Sequence, residues 1–156
     1  MSAKLKDEIK QARPFANPEV EAYLNLLRTT DALVRSVEEA LKPSGLTQTQ
    51  YNVLRILRGA GPEGLVCREL SERMVARDPD ITRLLDRLEA RGLVTRLRDR
   101  KDRRAVTVRI TANGIRLITG LDQPIAILHR RQLSHMGQQR IHQLIRLLED
   151  ARQRFD

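Results

Sequence analysis

The sequence predicts a mainly α chain with one small β-hairpin. Three observations predict it. Apolar residues recur at three- and four-residue spacing over most of the chain, the period drops to two after Gly92, and helix-capping residues stand where the helical stretches begin.

From Glu19 to Leu41 the apolar positions Val20, Leu24, Leu27, Val34, Val37 and Leu41 lie on one helical face. Asn17 is placed to cap this helix, and Pro18 suits its first turn. Pro43-Ser44-Gly45 then breaks the chain. Thr47 and Gln50 have capping-box spacing for a second helix carrying Tyr51, Val53, Leu54 and Leu57. The glycine-rich loop Gly59 to Gly64 ends that helix. Two short periodic segments follow, Cys67 to Met74 and Pro79 to Arg91, separated by the turn-like Ala76-Arg77-Asp78. Asp78 is expected as the N-cap of the second, Pro79 as its first residue and Gly92 as its C′ residue.

After Gly92, Leu93, Thr95 and Leu97 alternate with Val94, Arg96 and Arg98, and Val106, Val108 and Ile110 alternate with Thr107 and Arg109. The connection Asp99 to Arg104 lacks an Asn-Gly signal and is too long for a two-residue turn, so a projecting, mobile tip is expected. Thr111 starts another helix, with Ile118, Leu121, Ile125 and Leu128 on one stripe and Pro124 expected to kink or break it. A last helix, about Gly137 to Phe155, carries Ile141, Leu144, Leu148, Ala151 and Phe155. The segment Met1 to Gln11 is charged, lacks the apolar stretch of a signal peptide, and is expected to fray in a cytoplasmic protein. No repeat stands out.

The 156 residues suit one domain, or one domain with a dimerisation extension. Lys and Arg number 29 against 20 Asp and Glu, a formal net charge of +9 that favours a polyanionic partner. An anionic membrane surface would also attract such a chain, but no apolar run approaches the roughly 20 residues of a spanning helix. Cys67 is the only cysteine, which excludes an intrachain disulfide and any multi-cysteine zinc site.

Two short helices joined by a turn and followed by a basic-tipped hairpin make a winged helix-turn-helix, in which the second short helix enters the major groove of DNA. Ile81, Leu84, Leu85 and Leu88 form its inner stripe. Thr82, Arg83 and Arg87 are thereby left as base or phosphate readers, with Arg77 just ahead of them. Asp78 and Asp80 admit two readings, capping with a favourable dipole interaction or acceptance from a cytosine amino group. From Arg96 to Arg104 six basic and two acidic residues give a local +4, and Arg98, Arg100, Lys101, Arg103 and Arg104 suit a narrow, electronegative minor groove.

The stretch Ile81 to Val94, followed by Asp102-Arg103-Arg104 and then Ile110-Thr111, resembles the MarR family of bacterial transcriptional regulators. The resemblance covers nearly the whole chain through its helix order. It implies a homodimer on a palindromic operator, with Arg104 entering the minor groove, Asp102 holding the wing in shape, and regulation by small anionic or phenolic compounds or by cysteine oxidation. The chain would then divide into an N-terminal arm and first dimerisation helix (1–42), a DNA-binding lobe (46–111) and C-terminal dimerisation helices (112–156). Val20, Leu24, Ile141, Leu144, Leu148 and Phe155 are the expected dimer contacts; the last four need a partner surface, whether in this chain or in a second copy.

The effector site is less legible. Asp31 continues the apolar stripe of the first long helix, where a carboxylate is costly unless paired. Arg28 and Arg35 are ready partners; the sharper reading makes Asp31 face a ligand, with Arg28 or Tyr51 nearby. Cys67 begins a helix beside Arg68, two features that favour the thiolate and allow redox sensing, although a cysteine there also serves as a small buried apolar residue. The family's hydroperoxide-sensing cysteine has no counterpart in the first helical region. His129, His135 and His142 are too irregularly spaced for a helical metal pair, and no metal or cofactor is called for.

No dinucleotide, Walker, nucleophile-elbow or zincin motif points to an enzyme, and the Gly59–Gly64 loop carries Glu63 where a phosphate-binding lysine would stand. A nonspecific architectural or RNA-binding protein is the competing class. Aromatic residues are 3% of the chain with no tryptophan, a poor endowment for stacking bases. The sequence therefore favours a repressor-like regulator that binds duplex DNA by sequence and is released by a small effector.

Overall fold

The computed structural model describes residues 4–98 and 105–153. Its first helix, α1 (Leu5–Glu8), corrects the expectation of a frayed arm: Leu5 is buried, and Glu8 lies 3.5 Å from Arg28 of the next helix. That helix, α2 (Pro18–Leu41), starts where the side chain of Asn17 accepts from the Val20 N–H at 2.9 Å. Only its C-terminal part enters the core, through Val37 and Leu41.

A 3₁₀ turn and Gly45 in the left-handed region reverse the chain into α3 (Gln48–Ala60), whose capping box forms as its spacing predicts. Thr47 accepts from the Gln50 N–H at 3.2 Å, and Gln50 accepts in return from the Thr47 N–H at 3.1 Å. Beyond α3 the glycine-rich loop does more than connect. Gly64 has φ +73°, and a Cβ there would stand 2.1 Å from the Val108 carbonyl oxygen, so only glycine lets the chain lie against the hairpin. The approach creates β1 (Leu65–Val66), an added strand without a periodic signal.

The helix-turn-helix is α4 (Cys67–Arg73) and α5 (Ile81–Ala90). The expected N-cap moves by two residues. Asp80 accepts from the Arg83 N–H at 3.2 Å, while Asp78 accepts from the Asp80 N–H at 2.8 Å and shapes the preceding turn, leaving Pro79 outside the helix. At the other end Gly92 (φ +66°) donates to Glu89, and Leu93 donates to Leu88, the paired bonds of a Schellman stop.

Strands β2 (Val94–Arg98) and β3 (Val106–Ile110) form the antiparallel hairpin, with Val94 opposite Ile110 and Arg98 opposite Val106. β1 adds to its far side, giving the order β1-β3-β2. Thr111 then makes the corner, donating to the Gly92 carbonyl at 2.7 Å and accepting from the Gly114 N–H at 3.1 Å. α6 (Ala112–Leu133) runs through Pro124 as one helix, so of the expected kink or break, the break does not occur. Proline removes one donor, but buried Ile118 and Ile125 fix the turns on either side of it. A second 3₁₀ turn leads to α7 (Gln138–Arg152).

One apolar cluster runs from Val37 to Ile125, filled by Leu41, Leu54, Leu57, Leu70, Leu85, Leu88 and Val108. It joins the end of α2 and the middle of α6 to the winged lobe. Arg58 reinforces that joint with a two-pronged pair to Asp122, both contacts at 2.8 Å. The Arg58 guanidinium holds the Asp122 carboxyl below its usual range. Among the described residues no helix is long and apolar enough to cross a membrane.

Candidate nucleic-acid interface

The amphipathic pattern of α5 decides what the interface can present. Leu84, Leu85 and Leu88 are buried, so Thr82, Arg83, Asp86 and Arg87 are exposed on the outer side. Arg83 keeps its Nε 3.3 Å from Asp80, whereas Arg77 and Arg87 make no ion pair among the described residues. Arg77 is exposed in the turn ahead of the helix, and Arg98 is exposed at the outer end of β2. Arg100, Lys101, Asp102, Arg103 and Arg104 lie outside the described residues.

A groove of about 340 Å³ separates α5 from the start of α3, and Thr47, Thr49, Asp80, Arg83 and Arg87 line it. Sequence reasoning had not brought the α3 threonines to this face. The signal available was only their place at a helix start, which says nothing about a neighbour more than 30 residues away. Asp78 and Asp80 also line the groove, but both have backbone donors, which agrees with the capping reading.

Arg96 departs most from its sequence appearance. It belongs to the basic run but lies along α5, with a side chain only 23% exposed. Its Nε donates to Glu89 at 3.0 Å, and its Nη2 donates to Glu89 at 2.6 Å and to Asp86 at 2.5 Å. The Arg96 backbone N–H also donates to Glu89, at 3.1 Å. These bonds hold the Glu89 carboxyl below its usual range and keep the guanidinium charged. The wing strand is thus buttoned to α5, and one charge of the local +4 is spent on the chain's own carboxylates.

A second cavity, of about 620 Å³, lies between α2, α3, α6 and the turn before α5. Tyr51 lines it and accepts from Arg55 at 3.2 Å. Arg28 and Asp31 do not join Tyr51 there, as the ligand reading of the sequence would have it. They line a separate open depression near α1, where Asp31 pairs with Arg35 and Arg28 with Glu8. Exposed Asp31 therefore has the ion-pair partner that the sequence offered.

Of the two readings the sequence allows for Cys67, the structure agrees with the small apolar one. It packs against the core cluster, burial pushes its thiol up, and Arg96 offsets this only in part. Arg68, expected to favour the thiolate, pairs instead with Glu72. Among the described residues no group of three or more His, Cys, Asp or Glu could hold a metal ion.

The terminal helices present a different surface. α7 buries no residue; Ile141, Leu144 and Leu148 are half-buried, and Leu147 is 58% exposed. On α2, Val20 is exposed, Leu24 half-buried and Leu27 50% exposed. Phe155 lies outside the described residues.

The MarR family model matches residues 46–106, the span of the lobe with its wing. Over 141 residues the chain is 30% identical to the uncharacterized HTH-type transcriptional regulator YkoM of Bacillus subtilis (strain 168), covering 88% of this chain and 90% of that protein. It is 43% identical to a MarR transcription factor of known structure from Planctomyces limnophilus, with a TM-score of 0.69 over 87% of this chain and 98% of that one. A cysteine-to-serine mutant of MarR from E. coli, solved in complex with operator DNA, is 25% identical, with a TM-score of 0.77 over 96% of this chain and 99% of that one. A winged lobe with an exposed basic helix, set between helices that match these regulators along most of their length, identifies the chain as a member of the MarR family of transcriptional regulators.

Proposed function

We propose that the chain is a repressor that binds a palindromic operator as a homodimer in the cytoplasm and acts by binding rather than catalysis. The observation that carries this reading is the outer face of α5, where Thr82, Arg83 and Arg87 are exposed beside a wing tied to the same helix by Arg96. In this reading Thr82, Arg83 and Arg87 approach the major groove, Arg77 and Arg98 reach phosphates, and Arg100, Lys101, Arg103 and Arg104 serve the minor groove, with Asp102 shaping the wing. That a MarR mutant from E. coli, similar in fold to this chain, was solved with operator DNA supports the DNA-binding reading.

Residues 1–42 and 112–156 would supply the dimer contacts around the 46–111 lobe, through Val20, Leu24, Ile141, Leu144, Leu148 and Phe155. Their support is the uncovered apolar surface of α2 and α7. A dimer carries two readers that must match half-sites roughly 34–36 Å apart or a multiple of it. An effector bound between the dimer helices and the lobe would release DNA by favouring a different spacing.

Selection of bound sites from random duplex DNA, followed by anisotropy titration of the winner across salt concentrations, tests the reading. A palindromic winner bound tightly and with a steep salt dependence is expected. An unenriched pool with weak, salt-sensitive binding would instead make the protein a nonspecific nucleic-acid binder.

A further inference from the structure

Gln50, at the start of α3, is the one buried polar side chain among the described residues, with 7% of its surface exposed. Its Oε1 is held by the capping box, where it accepts from the Thr47 N–H at 3.1 Å. The box thereby fixes the amide, and Nε2, with two hydrogens to give, has no acceptor among the described residues. A buried donor without a partner costs free energy and calls for an explanation. No unpartnered side-chain nitrogen or oxygen among these residues is sealed from solvent, so Nε2 has an outlet, and Gln50 lines the groove between α3 and α5.

The same wall of the groove offers more donors. The box satisfies the N–H groups of Thr47 and Gln50, and that of Tyr51 bonds to the Thr47 carbonyl at 2.9 Å. Those of Gln48 and Thr49 have no acceptor among the described residues. Free N–H groups at the positive end of a helix suit an oxyanion. The facing wall carries Asp78 and Asp80, but each already accepts from a backbone N–H, and Arg83 and Arg87 stand beside them. Two arginines thus offset two carboxylates, and the α3 wall adds donors and no negative charge.

We infer that this groove clamps one phosphate of the DNA backbone in each half-site, with Gln50 Nε2 and the N–H groups of Gln48 and Thr49 donating to its oxygens. The inference rests on the operator-binding reading above and adds to it a contact outside both α5 and the wing. A phosphate contact carries no base information; it sets where the protein sits, so Gln50 fixes the register at which the α5 side chains meet the bases.

The test neutralises one phosphate at a time, by methylphosphonate substitution along the selected operator, and titrates the unaltered protein and Gln50→Glu against the series. Glutamate here keeps the capping acceptor and suits the helix start, so melting should be unchanged or raised. It also replaces the donor by a negative oxygen. Gln50→Glu is expected to weaken binding to the all-phosphate operator by about tenfold or more. At one position per half-site the methyl group should weaken the unaltered protein and strengthen the variant, because the charge that the amide grips is the charge that the carboxylate repels. A Gln50 that only caps α3 would not produce this reversal of sign.

Equal operator affinity of the two proteins, or a loss in Gln50→Glu that no single position relieves, overturns the clamp. Should Gln50→Glu fail to fold, Gln50→Met, similar in length and without a donor, decides the matter: the effect of one phosphate position vanishes if the clamp exists, and every effect persists if it does not. A pool without an enriched operator defeats the regulator reading and the clamp with it. An operator bound with no Gln50-dependent phosphate defeats the clamp alone.

Discussion

The winged lobe and the terminal helices are built from similar apolar residues, yet they stand in opposite conditions. In the lobe Leu54, Leu57, Leu70 and Leu88 are fully buried within one chain, while α7 buries nothing and Leu147 is left 58% exposed. The lobe is thus filled by the cluster it shares with the end of α2 and with α6, and the terminal helices also have surface that a single chain leaves uncovered. In the proposed dimer, each chain would carry one reader and the uncovered surface would set the distance between the two.

The largest expected effect breaks the lobe. Leu88→Ala removes a fully buried side chain from beneath the outer helix and should cost about 2–5 kcal/mol in urea unfolding. The loss should appear at every protein concentration. A loss seen only in dilute protein would mean that the lobe, too, depends on a partner.

Next is the terminal surface. Leu147→Asp should raise the dimer dissociation constant by at least about tenfold in sedimentation, because a carboxylate would be forced into an apolar contact. In the isolated chain this side chain is exposed, so a substitution that lowers stability without altering self-association would refute its place in a dimer.

A third substitution separates reading from folding. Arg87→Ala, on the exposed face of α5, should weaken operator binding by about 1–3 kcal/mol with melting and sedimentation unchanged. Arg104→Ala is expected to behave in the same way through the wing. Unchanged affinity in either folded variant removes that residue from the interface.

The smallest effect concerns two ion pairs, one at the joint between the two regions and one between α5 and the wing. Asp122 and Glu89 have carboxyls lowered by Arg58 and Arg96, so the unfolded chain binds protons first as the solution is acidified. Their contribution is complete above the ordinary carboxylate range and is lost as pH falls through the lowered values. Both carboxylates are more than a third exposed, which keeps the contribution modest. Asp122→Asn should flatten part of the acid limb of a stability–pH curve and leave the neutral limb in place; an unaltered acid limb would show that the pair does not brace the joint.

Much of the fold was legible because its rules are local. Asn17, the Thr47–Gln50 box, Gly92 and Thr111 each act within about one helical turn of themselves, and the structure uses all four as their spacing predicts. The same range explains the miss at Asp80: Asp78 and Asp80 are both competent caps, and only the path of the preceding turn chooses between them. Pro124 does not break α6, because packing on both sides outweighs the local penalty. The basic face of α5 was readable from the inner leucine stripe that opposes it. The α3 threonines beside it were not.

By itself, the sequence determined the order of the helices, the hairpin, most of the caps and the division of α5 into an inner and an outer face. These follow from side-chain periodicity and from hydrogen bonds between near neighbours. Tertiary structure alone decided that Gly64 presses a third strand onto the hairpin, that Arg96 ties the wing to α5, that burial raises the Cys67 thiol, and that Tyr51 lines a different cavity from Arg28 and Asp31. Each of these depends on which distant surfaces are brought together. Desolvation and charge pairing are set by that proximity and leave no period in the chain.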